Sequence, residues 1–330
     1  MAKQPIITLL THTHPDGDAI GSTTGLYHFL EGLGYRPTLV LPDPAPANLV
    51  DLLPDQVLIH SLDPVAADQA LTHCDILIGL DFNQFKRTGS TETAASHSSA
   101  RKILIDHHLN PDTAAFDQIF SEAGRSSTCE LVYYLLLAHP TVQQSASKLS
   151  MDTLYSLTTG LITDTNNFNN SLSPATFRMA ADVCEAGVDL DRITEKIYRS
   201  NRSNRIDLMG FLLNERRFQL KDVGAEYMLF SLQDQKKFDY LSGESEGFVN
   251  LPLQTKRVRL SALFTETDEG CIRVSLRSKR GFSANRLAQR FFNGGGHENA
   301  AGGKLYLPLD DVAAYFEKAV RTFLLEEDPQ

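Results

Sequence analysis

Only four cysteines, Cys74, Cys129, Cys184 and Cys271, are spread over the 330 residues, and no two form a CxxC pair. That spacing argues against a disulfide framework or a structural zinc site and fits a reducing compartment. No apolar run is long enough to cross a bilayer, and Met1-Ala2-Lys3-Gln4-Pro5 lacks the long apolar core of a secretory signal. A cytoplasmic protein with no membrane partner is expected. Positive charge is also scarce, with 31 Lys and Arg against 41 Asp and Glu for a formal net charge of -10. A broad basic surface for gripping long duplexes is therefore not expected, since such binding neutralises many phosphates. A small basic pocket for a short nucleotide stays open. Internal repeats, low-complexity tracts and coiled-coil heptads are missing as well. What remains is an ordinary globular balance, 42% hydrophobic and 22% charged, in a chain long enough for about two domains.

The first half alternates short apolar runs with helical periodicity, the pattern of a parallel α/β sheet. Strands are expected at residues 6–10, 38–41, 76–80 and 103–105, and a helix at 19–33 stopped by Gly34. A Pro-rich loop and a weak helix at 65–72 separate the second strand from the third. From Ser127 the pattern turns helical, with Leu131, Val132, Leu135 and Leu136 on one face and another long apolar segment at 149–163. Ser126-Ser127-Thr128 reads as a helix cap, and Ser173-Pro174 as an N-cap with proline at N1, with Gly187 as the matching stop. A charged helical stretch at 191–218 reads as the connection to a second domain. That domain shows strands of a mixed sheet at 228–230, 258–264, 271–276 and 304–307, and helices at 284–292 and 310–325.

Chemistry concentrates at the ends of the first-half elements. Thr11-His12-Thr13-His14-Pro15-Asp16-Gly17-Asp18 follows the first strand, Gly79-Leu80-Asp81 ends the third, and Ile105-Asp106-His107-His108 ends the fourth. Leu161-Ile162-Thr163-Asp164 closes a long helix. In open parallel sheets, ligands bind outside the carboxyl ends of the strands. Carboxylates and imidazoles gathered at such ends are costly to hold together unless cations pair them. A two-metal site needs ions roughly 3.5–4 Å apart, a group that bridges them and an opening for water. Carboxylates mixed with imidazoles suit Mn²⁺ or a comparable divalent ion. Hydrolysis of a phosphate ester is the expected chemistry. His14 reads as a loop histidine, and Arg87 stays open between a surface loop and the site.

His12-x-x-Pro15-Asp16-Gly17-Asp18-Ala19-x-Gly21-Ser22, Asp81, Asp106-His107-His108 and Asp164 resemble the four motifs of the DHH phosphoesterase superfamily. Gly294-Gly295-Gly296-His297-x-x-Ala300-Ala301-Gly302 resembles the nucleotide-binding signature of its companion domain, DHHA1. The resemblance covers almost the whole chain and points to the bacterial nanoRNase (oligoribonuclease) and pAp-phosphatase branch, pAp being 3'-phosphoadenosine 5'-phosphate. It implies a doubly wound DHH domain over residues 1–190, a helical linker over 191–222 and a smaller mixed-sheet DHHA1 domain over 223–330, with the active site in the cleft between them. It implies one ion on His12, Asp16 and Asp81, and a second on Asp18, Asp81, His107 and Asp164, with Asp81 as the bridge. His108 would sit beside the phosphate as an electrostatic or acid–base partner, and Asp106 would orient a neighbouring ligand.

In the second half, Arg277 and Lys279 are separated by one residue on a strand, so both can face the same side. Arg277 offers a planar fork for phosphate and Lys279 a point charge. Gly294, Gly295 and Gly296 let backbone approach a ligand, with His297 as a donor or stacking surface. The resemblance gives Arg277 and His297 the substrate end away from the scissile bond. Asn293 departs from it, standing where relatives often continue the glycine run.

The expected activity is Mn²⁺-dependent hydrolysis of di- to pentanucleotides to mononucleotides, with pAp as a further substrate and a homodimer as an open assembly. Four rivals stand beside it. One is cleavage of a linear dinucleotide from cyclic-dinucleotide turnover. Inorganic pyrophosphatase action is disfavoured by the glycine-rich nucleotide signature. Long single-strand exonuclease action, as in RecJ relatives, is disfavoured by the acidic charge. A non-catalytic nucleotide sensor should have lost ligands, and here every motif position is filled.

Overall fold

The structure is a computed structural model that describes residues 4–268 and 270–327. The chain separates into two compact units, Met1–Ser200 and Asn201–Gln330.

The first unit runs β1 (Ile7–Leu10), α1 (Gly17–Gly32), β2 (Thr38–Leu41), β3 (Val57–Ile59), α2 (Pro64–Thr72), β4 (Ile76–Leu80), α3 (Glu92–Ser96), β5 (Arg101–Asp106) and β6 (Gln118–Ser121). Four helices follow, α4 (Thr128–Leu137), α5 (Met151–Asp164), α6 (Pro174–Glu185) and α7 (Leu190–Tyr198). The strands lie in the order β3-β2-β1-β4-β5-β6, all parallel. Successive strand residues point to opposite faces. Leu9, Leu39, Leu41, Ile78, Leu80 and Ile105 pack on one side with Ile20, Leu131 and Leu157. Leu10, Val40, Leu77 and Leu104 pack on the other with Ala67, Leu71 and Ala95. Helices cover both faces, which is why these strands read as unbroken apolar runs.

The strand order reverses between β1 and β4, so the crevice at their carboxyl ends is the switch point of the sheet. Above it α1 and α5 press together through small residues. A Cβ on Gly21 would lie 2.5 Å from the Ser156 carbonyl oxygen, and one on Gly17 would collide with the Thr163 side chain. A Cβ on Gly160 would collide with Cys129 Sγ. Local signals set the helix ends. Asp16 caps α1, Gly34 turns the chain at φ 88°, and Ser173 forms a capping box with Thr176 before Pro174 at the start of α6.

The second unit runs α8 (Ser203–Glu215), β7 (Arg217–Leu220), β8 (Ala225–Phe230), α9 (Leu232–Lys237), β9 (Leu260–Glu266), β10 (Ile272–Ser278), α10 (Ala284–Phe291), β11 (Gly295–His297), β12 (Ala300–Leu305) and α11 (Leu309–Glu327). Its sheet has the order β11-β12-β10-β9-β8-β7 and is antiparallel except for the β8–β9 pair. Phe264, Leu276, Leu287, Phe292, Phe316 and Val320 form its core.

The stretch expected as a helical linker is divided. α7 belongs to the first unit, whereas α8 and β7 belong to the second. β7 is a strand because it pairs with β8, where Phe218 stacks on Tyr227 with ring centroids 5.2 Å apart. The strand expected at 304–307 instead occupies Ala300–Leu305, since Ala300-Ala301-Gly302-Gly303 takes its register from β10.

Because Gly21 faces backbone, Gly21→Ala is expected to force α1 off α5 and destabilise the protein by about 1–3 kcal/mol. A urea titration reads this as a lowered midpoint at unchanged slope; an unaltered midpoint would show that the helices separate freely.

Candidate metal centre

The switch-point crevice gathers side chains from six segments. Beyond β1, the Thr11 hydroxyl donates to the Leu80 carbonyl at 2.9 Å and ties the ends of β1 and β4 together. His12 follows, with Nδ1 2.8 Å from the Thr13 carbonyl oxygen and Nε2 3.4 Å from Asp81 Oδ2. A carbonyl can only accept, so Nδ1 carries the hydrogen and Nε2 is left with its lone pair. Asp16 caps α1, with Oδ1 accepting from the backbone N–H groups of Asp18 at 3.0 Å and Ala19 at 3.1 Å.

Asp18 enters on the first turn of α1, only 2% exposed. Its two oxygens accept from the opening N–H groups of α4, Thr128 at 2.6 Å and Cys129 at 2.8 Å. Asp81 ends β4 with a left-handed backbone, φ 65°, a conformation that aspartate tolerates and most side chains avoid. Its Oδ1 accepts from the Thr128 hydroxyl at 2.9 Å.

His107, past β5, donates from Nδ1 to the Arg125 carbonyl at 3.3 Å. Its Nε2 then faces three carboxylates, Asp164 at 3.5 Å, Asp18 at 3.6 Å and Asp81 at 3.7 Å. Asp164 arrives from the last residue of α5. His108 differs: Nδ1 donates to Asp106 Oδ1 at 2.7 Å, and Nε2 accepts from Arg87 Nη1 at 2.9 Å. Asp106 is fully buried and its other oxygen accepts the His108 backbone N–H at 3.1 Å.

Donor atoms of His12, Asp16 and Asp81 lie within 4.8 Å of one another, and so do those of Asp18, Asp81 and His107, and those of Asp81, Asp106 and His108. Asp81 belongs to every one of these groups. His14, by contrast, turns outward on its loop, where its N–H meets Asp43 Oδ2 at 2.8 Å. Arg87 reaches the centre through His108.

Glu130 escapes notice in the sequence and is central in the fold. It is fully buried on α4, with Oε2 accepting from the Ser126 hydroxyl at 2.5 Å and the Thr176 hydroxyl at 2.8 Å, and Oε1 from Arg125 Nη1 at 3.2 Å. It therefore fixes residues 125–128, the turn whose groups hold His107, Asp18 and Asp81. Ser127-x-x-Glu130 has the form of a capping box, which was the available signal. The Ser127 hydroxyl does cap Glu130 N at 2.9 Å, but the Glu130 side chain turns to Ser126 instead.

Electrostatics show what the cluster is short of. Burial, then the charges of Asp81, Asp164 and Asp16, push the Asp18 carboxyl well above its usual range. Burial also favours a neutral Asp81, but the His12 hydrogen bond and the charges of His108, His12 and His107 carry it far below. Burial would lower His12 and His107, yet the Asp81 hydrogen bond raises the first and the charges of Asp164, Asp81 and Asp106 raise the second. Protons at these groups stand in for missing positive charge. Oxygen and imidazole donors, with tautomers preset by carbonyls, fit divalent cations.

In the second unit, Arg277 on β10 pairs with Ala300 of β12, and Ala300 pairs with His297 of β11. Arg277 and His297 thus share one cross-strand row and one face of the sheet. Lys279 lies past the end of β10, where its ammonium donates to the Thr255 carbonyl at 2.8 Å. The glycines have a packing role: a Cβ on Gly294 would overlap the Gly302 carbonyl, and one on Gly296 would lie 2.6 Å from the Ala300 carbonyl oxygen. Asn293 takes the left-handed conformation, φ 49°, and its amide donates to the Lys304 carbonyl at 3.1 Å. That is the reason asparagine can stand in the glycine run.

Shared carboxylates and preset imidazoles at the switch point of a doubly wound sheet define a metal-dependent phosphoesterase. The DHH family, N-terminal domain, matches residues 6–161, and the DHHA1 domain matches residues 225–324. The chain belongs to the DHH phosphoesterase family, in its DHHA1-bearing form. It is 28% identical over 328 residues to the bifunctional oligoribonuclease and PAP phosphatase NrnA of Thermus thermophilus, covering 96% of this chain and 89% of that protein. To the protein of the same name from Bacillus subtilis it is 26% identical over 302 residues, covering 91% and 89%. An exopolyphosphatase-related protein from Bacteroides fragilis has a similar structure, with a TM-score of 0.87, 35% identity and coverage of 97% of this chain and 92% of that one.

Raised values at Asp18, His12 and His107 mean that the metal-free fold keeps protons that the unfolded chain releases. Their stabilisation is present at low pH and lost as pH rises through the raised values. His108 runs the other way, pushed down by burial and Arg87 against the Asp106 hydrogen bond. Asp81 contributes fully above the ordinary carboxylate range. Metal-free stability is therefore expected to fall as pH rises through the raised values of these groups, three groups against one, and a cation replacing the protons should restore it. With Mn²⁺ at a hundredfold excess over its Kd the gain is about 2.7 kcal/mol. Thermal melts should show a larger Mn²⁺ increment at the higher pH, and an increment that shrinks with pH would contradict this electrostatic account.

Proposed function

We propose that this protein is a Mn²⁺-dependent phosphodiesterase that hydrolyses di- to pentanucleotides of RNA to mononucleotides, and that it also converts pAp to AMP. The observation that carries the reading is Asp81, common to the donor group of His12 and Asp16 and to that of Asp18 and His107. Two sets joined by one carboxylate suit a pair of ions, and similarity to oligoribonuclease and PAP phosphatase proteins runs nearly end to end.

In this reading His12, Asp16 and Asp81 hold one ion, and Asp18, Asp81, His107 and Asp164 hold the other. Bound divalent cations supply an acidified water and neutralise charge on the phosphoryl oxygens. The protein's own groups do the rest. Thr128 and the first N–H groups of α4 keep Asp18 and Asp81 in place. His108 stands beside the reacting phosphate as an electrostatic or acid–base partner, with Asp106 behind its ring. Arg277 and His297, on one face of the second sheet beside the Gly294–Gly296 run, bind the nucleotide end away from the scissile bond. Long duplexes and membranes are not partners in this reading. The cytoplasm is its setting, and four unpaired cysteines accord with that.

Purified protein with Mn²⁺ is expected to release mononucleotides from dinucleotides and AMP from pAp, with far slower release from pyrophosphate or long RNA. Asp81→Asn should lower kcat/KM by on the order of 10²–10³-fold while nucleotide still binds. Absence of mononucleotide from every substrate of two to five residues would sink the proposal.

A further inference from the structure

Arg87 occupies an unusual position for a guanidinium. Its backbone carbonyl accepts from Thr13 N at 3.0 Å and from the Thr13 hydroxyl at 3.2 Å, which locks the 85–91 turn onto the loop bearing His12 and Asp16. Gly89, at φ 57°, permits the contact, because a Cβ there would strike Thr13 Cγ2. The side chain then reaches His108, with Nη1 2.9 Å from Nε2.

Arg125, Arg202, Arg216, Arg217, Arg290 and Arg321 each meet a carboxylate. Arg87 forms no ion pair among the described residues, and its side chain meets the neutral acceptor His108. A guanidinium has five N–H donors in a rigid fork suited to phosphate. Four remain after the bond to His108.

Charge balance points the same way. Asp16, Asp18, Asp81, Asp106 and Asp164 bring five negative charges, and two divalent cations would bring four positive ones. Arg87 supplies the missing charge, so an anionic phosphate would meet a neutral centre instead of a repelling one. We propose that Arg87 binds the non-bridging oxygens of the scissile phosphate. This inference rests on the phosphoesterase reading of the same centre.

The test uses the full chain loaded with Mn²⁺. Inorganic phosphate binding is measured by calorimetry, and dinucleotide and pAp hydrolysis by steady-state kinetics, for the unaltered protein, Arg87→Ala and Arg87→Lys. Arg87→Ala is expected to lower kcat/KM about 100-fold and weaken phosphate binding at least ~10-fold, while the Mn²⁺ thermal increment stays. Arg87→Lys should fall between, keeping the charge without the fork. Arg87→Met, which retains the alkyl stem, serves if the alanine variant does not fold. Unchanged phosphate affinity and KM in Arg87→Ala would overturn the proposal. Loss of the Mn²⁺ increment would also overturn it, making Arg87 a prop for His108. Should the unaltered protein cleave no nucleotide yet bind phosphate through Arg87, the nucleotide substrates of the proposed function fall, while recognition of phosphate by Arg87 stands.

Discussion

Repulsion among carboxylates that the fold buries around Asp81 is the constraint to which the neighbouring structure answers. Asp18 and Asp81 are each 2% exposed and Asp106 is fully buried. Isolated charges at such burial would be neutralised or expelled. The chain instead gives each a fixed dipole. Asp16 receives the first N–H groups of α1, Asp18 those of α4, and Asp106 the N–H of His108. Helix N-termini suit this because their N–H groups lack partners and carry partial positive charge. These bonds hold the carboxylates in place without neutralising them, so the cluster stays short of positive charge. The close α1–α5 contact and the buried Glu130 network serve the same end, since Asp18 and Asp164 ride on those helices and Glu130 fixes the turn that receives Asp18.

The fold was largely legible in the first half because a sheet covered on both faces writes itself as apolar runs. The expected strands at 38–41 and 76–80 coincide with β2 and β4, and the segments holding His12, Asp81 and His107 fall where the runs stop. Edge strands were not legible. β3, β6 and β7 are three or four residues long and largely unburied, so neither length nor patterning marks them. Their pairing partners decide them, and those are distant in sequence. Glu130 was hidden for a related reason. Its partners Ser126 and Thr176 meet only once α4 and α6 pack together, and the sequence offers just the local capping pattern.

Glycine in the second unit shows the opposite ambiguity. Gly294-Gly295-Gly296 reads as a backbone laid open for a ligand, yet Gly294 and Gly296 also face β12 backbone too closely to admit a side chain. Both demands select the same residue, so composition alone does not separate them. Register does add something. The Arg277–Ala300–His297 row shows that the hairpin places a cation and an imidazole on one face, which spacing along the chain could not reveal.

Three histidines stand within a few ångströms of Asp81, and what divides their roles is the group behind each ring. His12 and His107 rest Nδ1 on backbone carbonyls, which fix a tautomer without adding a negative charge. Their Nε2 lone pairs face carboxylates, the geometry of a ligand nitrogen waiting for a cation. His108 rests Nδ1 on the Asp106 carboxylate, so a proton gained at Nε2 would be stabilised by the charge behind it. While Arg87 holds that nitrogen, the ring stays neutral.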